Sequence, residues 1–270
     1  MRIYELKDGG CKLTMRTVDR ALDIMELLAK TGKPMTQVEI CQALKMPKSS
    51  VHDLMHTLLK RDFITYDNEQ FKTFKLALHV FEIGMTVIEN RNMVAVARPY
   101  LVQLHNNVRE TIFLAVENRN NIVYVDCAEE RGVMGGYINL GGTRPMYCSG
   151  LGKAILAAYN DPKKVQAILA SGPPMKTYTE NTITTVNGLL KELEMTRKRG
   201  FAIDNREVEP DTYCVAAPIY DRYNEPICAI SIASVFTRMT PAKIKKCGTL
   251  VNQTALAISK QMGYRKATLY

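Results

Sequence analysis

The stretch that decides the fold is MTQVEICQALKMPKSSVHDLMHTLLKR, residues 35–61. It predicts two short amphipathic helices joined by a tight turn. Thr36, followed three residues later by Glu39, is typical of a capping box at a helix start. Pro47 suits the first position of the second helix, where its missing N–H costs nothing.

The second of these helices has one apolar face and one polar face. Its apolar residues recur at helical spacing: Val51, Leu54, Met55, Leu58 and Leu59. The opposite face carries Lys48, Ser49, Ser50, His52, Asp53 and His56. Short polar and basic groups near a helix N-terminus are what a reader of the DNA major groove needs. The stretch therefore predicts a helix-turn-helix that binds DNA.

The flanking segments extend this motif to a winged helix-turn-helix. A helix is predicted over residues 16–30, with an apolar face of Val18, Leu22, Met25 and Leu28. In the helix that follows Thr36, the expected apolar stripe is Val38, Ile40, Cys41 and Leu44. Strands at 63–66 and 71–75, joined through 67–70, predict a β-hairpin wing. Arg16 and Lys72 are candidate phosphate contacts.

Composition bounds the remaining possibilities. The 270 residues are 46% hydrophobic, enough for two domains with separate cores. No apolar run approaches the roughly 18 residues of a membrane span, and no signal peptide is recognisable. The seven cysteines are widely spaced without a C-x-x-C pair, which favours reduced thiols over a disulfide framework or a zinc site. We expect a cytoplasmic protein with no cofactor, no metal and no membrane partner.

Net charge supports a DNA partner only weakly. The chain carries +9, which fits a protein that binds a polyanion. Residues 1–92, however, hold 14 basic and 12 acidic side chains, a net charge of +2. Most of the positive charge therefore lies outside the predicted DNA-binding part, and the helical pattern carries the prediction.

The second part of the chain mixes helices and strands, which predicts an α+β domain with an antiparallel sheet. Strands are expected at 111–117, 122–127, 135–140, 201–204, 214–220 and 227–236, and helices at 93–108, 150–159, 162–170, 186–199 and 241–262. The predicted division is an N-terminal arm (1–14), the DNA-binding domain (15–76), a linker helix (77–92), a second domain (93–264) and a C-terminal tail (265–270).

Eight short motifs, in order, resemble those of the IclR-type bacterial transcription regulators. They are RAL (20–22), PKSSVH (47–52), ARPYL (97–101), ET (110–111), VYVD (123–126), GLGKA (150–154), RGFAID (199–204) and CVAAP (214–218). The resemblance spans residues 16–259. It implies a C-terminal effector domain of GAF-like, profilin-like form. It also implies a dimer or dimer of dimers on a palindromic operator, released or engaged by a small molecule, often a carboxylate or an aromatic compound.

The same resemblance implies an effector site. Its residues in this sequence are Gly150, Leu151, Asp204, Cys214, Ser231 and Ala233. The N-terminus of a helix at Gly150 favours an anionic ligand, although both glycines there also suit a simple tight turn. Similar proteins often carry a second polar residue at position 233, so Ala233 predicts a less polar or bulkier ligand. The expected function is a ligand-responsive repressor or activator of transcription, not an enzyme.

Several alternatives stay open at this point. Asp53 stands where similar proteins usually have arginine, and it either alters the base that is read or pairs with a nearby cation. His52 and His56 have the spacing of a zinc-binding H-x-x-x-H pair, although a DNA-facing surface is the simpler explanation. Cys214 is a core thiol, a pocket residue or a redox-sensing nucleophile. An enzyme would need a base, and His105 lies in a helix far from the pocket motifs.

Overall fold

The computed structural model of the chain describes residues 15–89, 93–129 and 140–270. The chain divides into two compact units, residues 1–90 and residues 91–270. The predicted arm at 1–14, the end of the predicted linker at 90–92 and positions 135–139 of a predicted strand lie outside the described residues. No helix within the described ranges is both long and apolar enough to cross a membrane.

The first unit is a helix-turn-helix with a hairpin wing, so the predicted fold class is confirmed for this part. Its strands form an antiparallel sheet in the order β1-β3-β2. The elements are α1 (Arg16–Thr31), β1 (Met35–Thr36), α2 (Gln37–Leu44), α3 (Lys48–Lys60), β2 (Ile64–Asn68), β3 (Thr73–Leu76) and α4 (Leu78–Glu89).

The capping box at the start of α2 is present. The Glu39 N–H donates to the Thr36 hydroxyl at 3.3 Å, and the Thr36 N–H donates to the Glu39 carboxylate at 2.7 Å. Pro47 is the N-cap of α3 and not the predicted first helical residue, because its ψ of 141° is extended. Lys45 adopts a positive φ of 51° and so makes the tight turn between the two helices.

The wing turn lies two residues later than predicted, at residues 69–72. The Asn68 side chain accepts from the Phe71 N–H at 3.0 Å, and Lys72 takes a φ of 47°. An asparagine that bonds the backbone in this way favours a turn at its own C-terminal side. Both hairpin strands shift accordingly.

The core of the first unit confirms the predicted face of α3 and corrects that of α1. Leu59 is half-buried rather than buried. Val18, Leu22 and Val38, which the sequence places on apolar helix faces, are 50%, 51% and 53% exposed, so these parts of the two faces are not buried. Both rows of α1 are apolar, and packing against α2 and α3 selects the row of Ile24. The buried residues are Ile24, Leu28, Ile40, Val51, Leu54, Met55, Leu58, Ile64 and Phe74.

The second unit contains the predicted antiparallel sheet. In the described residues its strand order is β6-β5-β4-β9-β8-β7. The short β6 and two 3₁₀ turns, Met146–Cys148 and Phe236–Arg238, were not predicted. The elements are α5 (Met93–Val108), β4 (Thr111–Asn118), β5 (Asn121–Ala128), β6 (Thr143–Pro145), α6 (Gly150–Ala158), α7 (Pro162–Ala170), α8 (Val186–Arg199), β7 (Ala202–Asn205), β8 (Thr212–Tyr220), β9 (Pro226–Val235) and α9 (Pro241–Gln261).

The two faces of this sheet carry separate cores because side chains alternate along each strand. On β9, Ile230 and Ile232 join the core beneath α5 and α9. Ala229 and Ala233 join the core beneath α6 and α8. The segment predicted as a tail packs on this unit, since Leu269 is buried and its carbonyl accepts from the Tyr220 hydroxyl at 2.8 Å.

The close approach of α6 to the chain before it predicts a stability effect. A Cβ on Gly152 would overlap the backbone of Met146, whereas a Cβ on Gly84 of α4 would meet no atom within 4 Å. Overpacking of this kind costs about 1–3 kcal/mol. We therefore expect Gly152→Ala to lower the thermal midpoint of the second unit by about 2–10 °C.

The matched control is Gly84→Ala, which adds the same methyl group at an exposed helix position. It should leave the midpoint of the second unit unchanged, and alanine favours the helix intrinsically. Differential scanning calorimetry of the full chain measures both variants. A wild-type transition in Gly152→Ala would contradict the packing described.

Candidate functional sites

The exposed face of α3 carries the residues predicted to contact DNA. Lys48, Ser49, His52, Asp53 and His56 are exposed, while Ser50 is half-buried. The apolar face of α3 packs in the core of the first unit. The Gln37 side chain also donates to the Lys48 carbonyl at 3.1 Å, which ties α2 to the first turn of α3. The polar face is therefore held on a rigid support.

Ser50 has a partner that was not predicted. Its hydroxyl accepts from the Arg20 guanidinium at 3.2 Å, across the contact between α1 and α3. The hydroxyl hydrogen remains able to donate elsewhere. Arg20 belongs to the first quoted motif, yet its long side chain gave no sign in the sequence that it reaches α3.

Asp53 is not paired with a cation among the described residues. No hydrogen bond or ion pair there engages its carboxylate, and the Thr57 hydroxyl donates to its backbone carbonyl at 2.9 Å. Of the two readings of Asp53 left open by the sequence, pairing with a nearby cation has no support in this part of the chain.

The candidate phosphate contacts flank this helix in sequence. Arg16 is exposed at the first residue of α1, and Lys72 is exposed in the turn of the wing. Lys75 is paired with Asp67 at 2.8 Å, so its charge is partly neutralised within the wing. Lys72 is therefore the better placed of the two wing lysines for a phosphate.

Strand register brings the predicted effector residues onto one face of the sheet. Asp204 of β7 is the register partner of Cys214 of β8, and Cys214 is the partner of Ala233 of β9. Ser231 lies two residues from Ala233, on the same face. A Cβ on Gly150 would lie 3.5 Å from the Cβ atoms of Asp204 and Cys214. The start of α6 therefore rests against these strands.

The N-terminus of α6 offers free donors at this place. Ser149 is the N-cap and accepts from the Gly152 N–H at 3.2 Å. Gly150 and Leu151 occupy the first two helical positions, whose N–H groups have no acceptor within a helix. The helix dipole favours an anion there. The Leu151 side chain is buried in the core, so only its backbone can address a ligand.

Asp204 is a buried carboxyl whose protonation is balanced near neutral pH. It is 8% exposed and accepts from the Glu207 N–H at 2.8 Å. Burial raises the pKa of Asp204 to about 7, although the hydrogen bond from the Glu207 N–H and the charge of Lys153 oppose the rise, and the charge of the Glu207 carboxylate adds a smaller one. A carboxyl in this state can either donate or accept a hydrogen bond.

Ser231 adds an unused polar group. Its hydroxyl is buried and has no hydrogen-bond partner within the described residues. An unsatisfied buried hydroxyl costs about 1–3 kcal/mol, so a ligand that bonds to it regains that energy. Ala233 next to it is apolar and 1% exposed.

A buried ion pair beside this site was missed by sequence reasoning. The Lys153 ammonium on α6 bonds to the Glu207 carboxylate in the loop after β7. The Thr179 and Thr182 hydroxyls donate to the carbonyls of Arg206 and Glu207, each at 2.6 Å. A lysine inside the apolar run GLGKAILAA was the available signal, because an unpaired lysine is almost never fully buried.

The geometry of the described residues does not support a redox-sensing thiol, an enzyme base or a metal site. Burial raises the pKa of Cys148 to about 12 and that of Cys214 well above its usual value, which opposes a reactive thiolate. His105 is buried on α5, at the other face of the sheet, with Nδ1 2.8 Å from the Glu110 carbonyl oxygen. In the described ranges, no cluster of three or more His, Cys, Asp or Glu residues could hold a metal.

Family models match both units. Residues 17–68 match the IclR helix-turn-helix domain, and residues 85–260 match the C-terminal domain of the bacterial transcriptional regulator IclR. The HTH-type transcriptional repressor AllR of Escherichia coli K12 is 30% identical over 250 residues, which cover 93% of this chain and 91% of AllR. AllR of Salmonella typhimurium LT2 is 29% identical over the same shares.

Solved structures agree in fold. The IclR protein of Thermotoga maritima superposes with a TM-score of 0.76 at 29% identity, over 93% of this chain and all of that one. An IclR homologue from Microbacterium hydrocarbonoxydans, complexed with 4-hydroxybenzoate, gives a TM-score of 0.77 at 17% identity. That match covers 91% of this chain and 98% of the homologue, and at this identity it speaks for the fold alone.

Asp204 generates a prediction of pH dependence. A carboxyl in the unfolded chain ionises near pH 4, whereas burial holds the folded Asp204 as an acid up to about pH 7. Its ionisation therefore opposes folding increasingly as pH rises through this window. Asparagine has no charge to desolvate. The unfolding free energy of Asp204→Asn, relative to that of wild type, should therefore increase as the pH rises from about 5 to about 8.

Urea unfolding at about pH 5 and at about pH 8 measures the difference in unfolding free energy between each variant and wild type. Glu180→Gln, at an exposed acid, is the control, and its difference from wild type should be the same at both pH values. An Asp204→Asn difference that does not change with pH would show that the buried carboxyl is ionised throughout.

Proposed function

The chain belongs to the IclR family of bacterial transcriptional regulators, and we propose that it is a ligand-responsive DNA-binding regulator whose parts act as follows. Helix α3 contacts bases of an operator in the major groove. A small organic anion bound at the N-terminus of α6 changes the affinity for that operator. Repression is the proposed outcome of operator binding, as it is for the AllR relatives.

The operator-binding surface is proposed from the exposed face of α3. Major-groove contacts come from Lys48, Ser49, Ser50, His52, Asp53 and His56, while Arg16 and Lys72 contact phosphates. The local net charge of +2 is low, so specific contacts have to supply much of the affinity. Two copies of the chain on a palindrome double the number of base contacts, which favours a homodimer or a dimer of dimers.

The effector site is proposed where α6 meets β7, β8 and β9. The observation that carries this proposal is that the Gly150 backbone lies against Asp204, and that Asp204 and the unpartnered Ser231 hydroxyl share one sheet face. N–H groups of a helix start bind a carboxylate, and the neutral form of Asp204 donates to it. Cys214 and Ala233 provide an apolar wall.

The ligand class follows from these groups. A small carboxylate fits the helix start, and a hydroxyl or oxo group fits Ser231. An aromatic hydroxycarboxylate such as 4-hydroxybenzoate, which the Microbacterium hydrocarbonoxydans homologue binds, combines these features. Any such ligand acts as a switch only if its affinity differs between the operator-competent and operator-incompetent states.

We also propose a domain organisation and a cellular location. We take residues 15–76 as the DNA-binding domain, 77–92 as linker and 93–264 as effector domain, with 1–14 and 265–270 as arm and tail. The separate family matches at 17–68 and 85–260 support a division into a DNA-binding part and an effector part. The relatives are transcriptional regulators, which supports a cytoplasmic, non-enzymatic role.

Ser50 tests the operator-binding surface. Its hydroxyl is bonded to Arg20 and can still donate to a base, so Ser50→Ala should weaken specific binding about tenfold and leave non-specific binding unchanged. Fluorescence anisotropy with a selected operator and with a scrambled duplex measures both affinities. Thr31→Ala, whose hydroxyl bonds within α1, is the control. An equal loss on both duplexes would rule out base readout.

Gly150 tests the effector site. An added Cβ would lie at ordinary contact distance from Asp204 and Cys214, so Gly150→Ala should fold while filling part of the site. A panel of two- to four-carbon oxo- and hydroxycarboxylates and hydroxybenzoates is screened for thermal stabilisation, which reports selective binding to the native state. The variant should lose most of the stabilisation that wild type gains.

Gly84→Ala is again the control and should respond as wild type does. Undiminished stabilisation of Gly150→Ala by the same compound would place the effector elsewhere.

A further inference from the structure

We propose that Asp53 selects a cytosine in each operator half-site, so that it is a specificity-determining residue of this regulator. The inference rests on the proposed function, in which α3 lies in the major groove. It names the base that one side chain reads, and it follows from the position, the surroundings and the chemistry of that carboxylate.

Asp53 lies on the surface that α3 turns away from its core. At about 100° per residue, Ser49, Asp53, His56 and Lys60 fall within about 60° of one another around the helix. The buried residues Val51, Leu54 and Leu58 lie on the opposite side. A helix docked by this face brings the central row toward the base edges and its flanks toward the two phosphate backbones.

The neighbouring side chains on α3 offer the Asp53 carboxylate no lysine or arginine partner. Residues three and four away are the ones that reach a helical side chain, and here they are Ser49, Ser50, His56 and Thr57. None of these is a lysine or an arginine. Elsewhere in this unit the Asp67 carboxylate is paired with Lys75. Asp53 is therefore exposed with its acceptor capacity unused within the described residues.

The chemistry of the groove limits what an ionised carboxylate accepts from. It has acceptors alone, and the donors in the major groove are the N4 amino group of cytosine and the N6 amino group of adenine. Adenine places its N7 acceptor beside that donor, which repels a carboxylate. Guanine offers acceptors in the groove and thymine an acceptor and a methyl group. The ranking is therefore cytosine first, adenine second, guanine and thymine excluded.

The same chemistry predicts how the preference changes on substitution. Asparagine carries a donor beside its acceptor and pairs with N7 and N6 of adenine. Asp53→Asn should therefore change the preferred base from cytosine to adenine at one position of each half-site. Asp53→Ala should remove the preference at that position. Both substitutions lie on an exposed surface, so the fold is expected to persist.

The experiment selects binding sites from a random duplex library with the full chain. Wild type, Asp53→Asn, Asp53→Ala and the control Asp23→Asn are compared. Asp23 is exposed on α1, and its substitution changes the net charge by the same amount as Asp53→Asn. In the wild-type operator, replacement of the proposed cytosine by thymine should weaken binding about tenfold, and Asp53→Ala should be insensitive to it.

The outcomes separate this inference from the proposed function. A cytosine in the wild-type motif that becomes adenine with Asp53→Asn alone supports the inference. A wild-type motif left unchanged by both Asp53 variants overturns it, as does a uniform gain in affinity shared with Asp23→Asn, which would reflect bulk charge. If wild type selects no sequence at all, the proposed function and the inference both fail.

Discussion

The buried ion pair between Lys153 and Glu207 joins helix α6 to the loop after β7, and the proposed effector site depends on how close these two elements lie. Lys153 lies three residues after Gly150, and Glu207 lies three residues after Asp204. The pair thus holds the helix start and the buried carboxyl against each other. Loss of one partner would strand a charge in the core, at a cost of about 3–5 kcal/mol. The two charges neutralise each other, so Asp204 remains the carboxyl available to a ligand at the proposed effector site.

The sequence predicted the elements more reliably than it predicted which helix face is buried. In α3 the apolar residues form a single row, so periodicity fixes the face that packs. In α1 the row of Val18 and Leu22 and the row of Ile24 are both apolar, and only packing on α2 and α3 selects between them. The wing turn lies later than predicted for a local reason. Asn68 and Lys72 adopt a turn geometry that the pattern of the flanking strands does not indicate.

The candidate effector residues could be named from motifs, but their environment could not. Asp204 and Cys214 are ten residues apart, and their adjacency follows from strand register. The partnership of Lys153 with Glu207 spans 54 residues, and that of Ser50 with Arg20 spans 30. Contacts between elements so distant in sequence depend on the assembled fold. The unused Ser231 hydroxyl is likewise a property of the finished core and leaves no mark on local pattern.

The central claim is that ligand and operator binding are thermodynamically coupled within one chain. Coupling of two sites is reciprocal in binding free energy, so each partner changes the affinity of the other by the same factor. The most direct measurement is calorimetric titration of an effector from the screen into free protein and into operator-bound protein, beside titration of operator into free and effector-loaded protein. We expect the same factor in both comparisons, about 5- to 150-fold. Equal effector affinity with and without operator would contradict it.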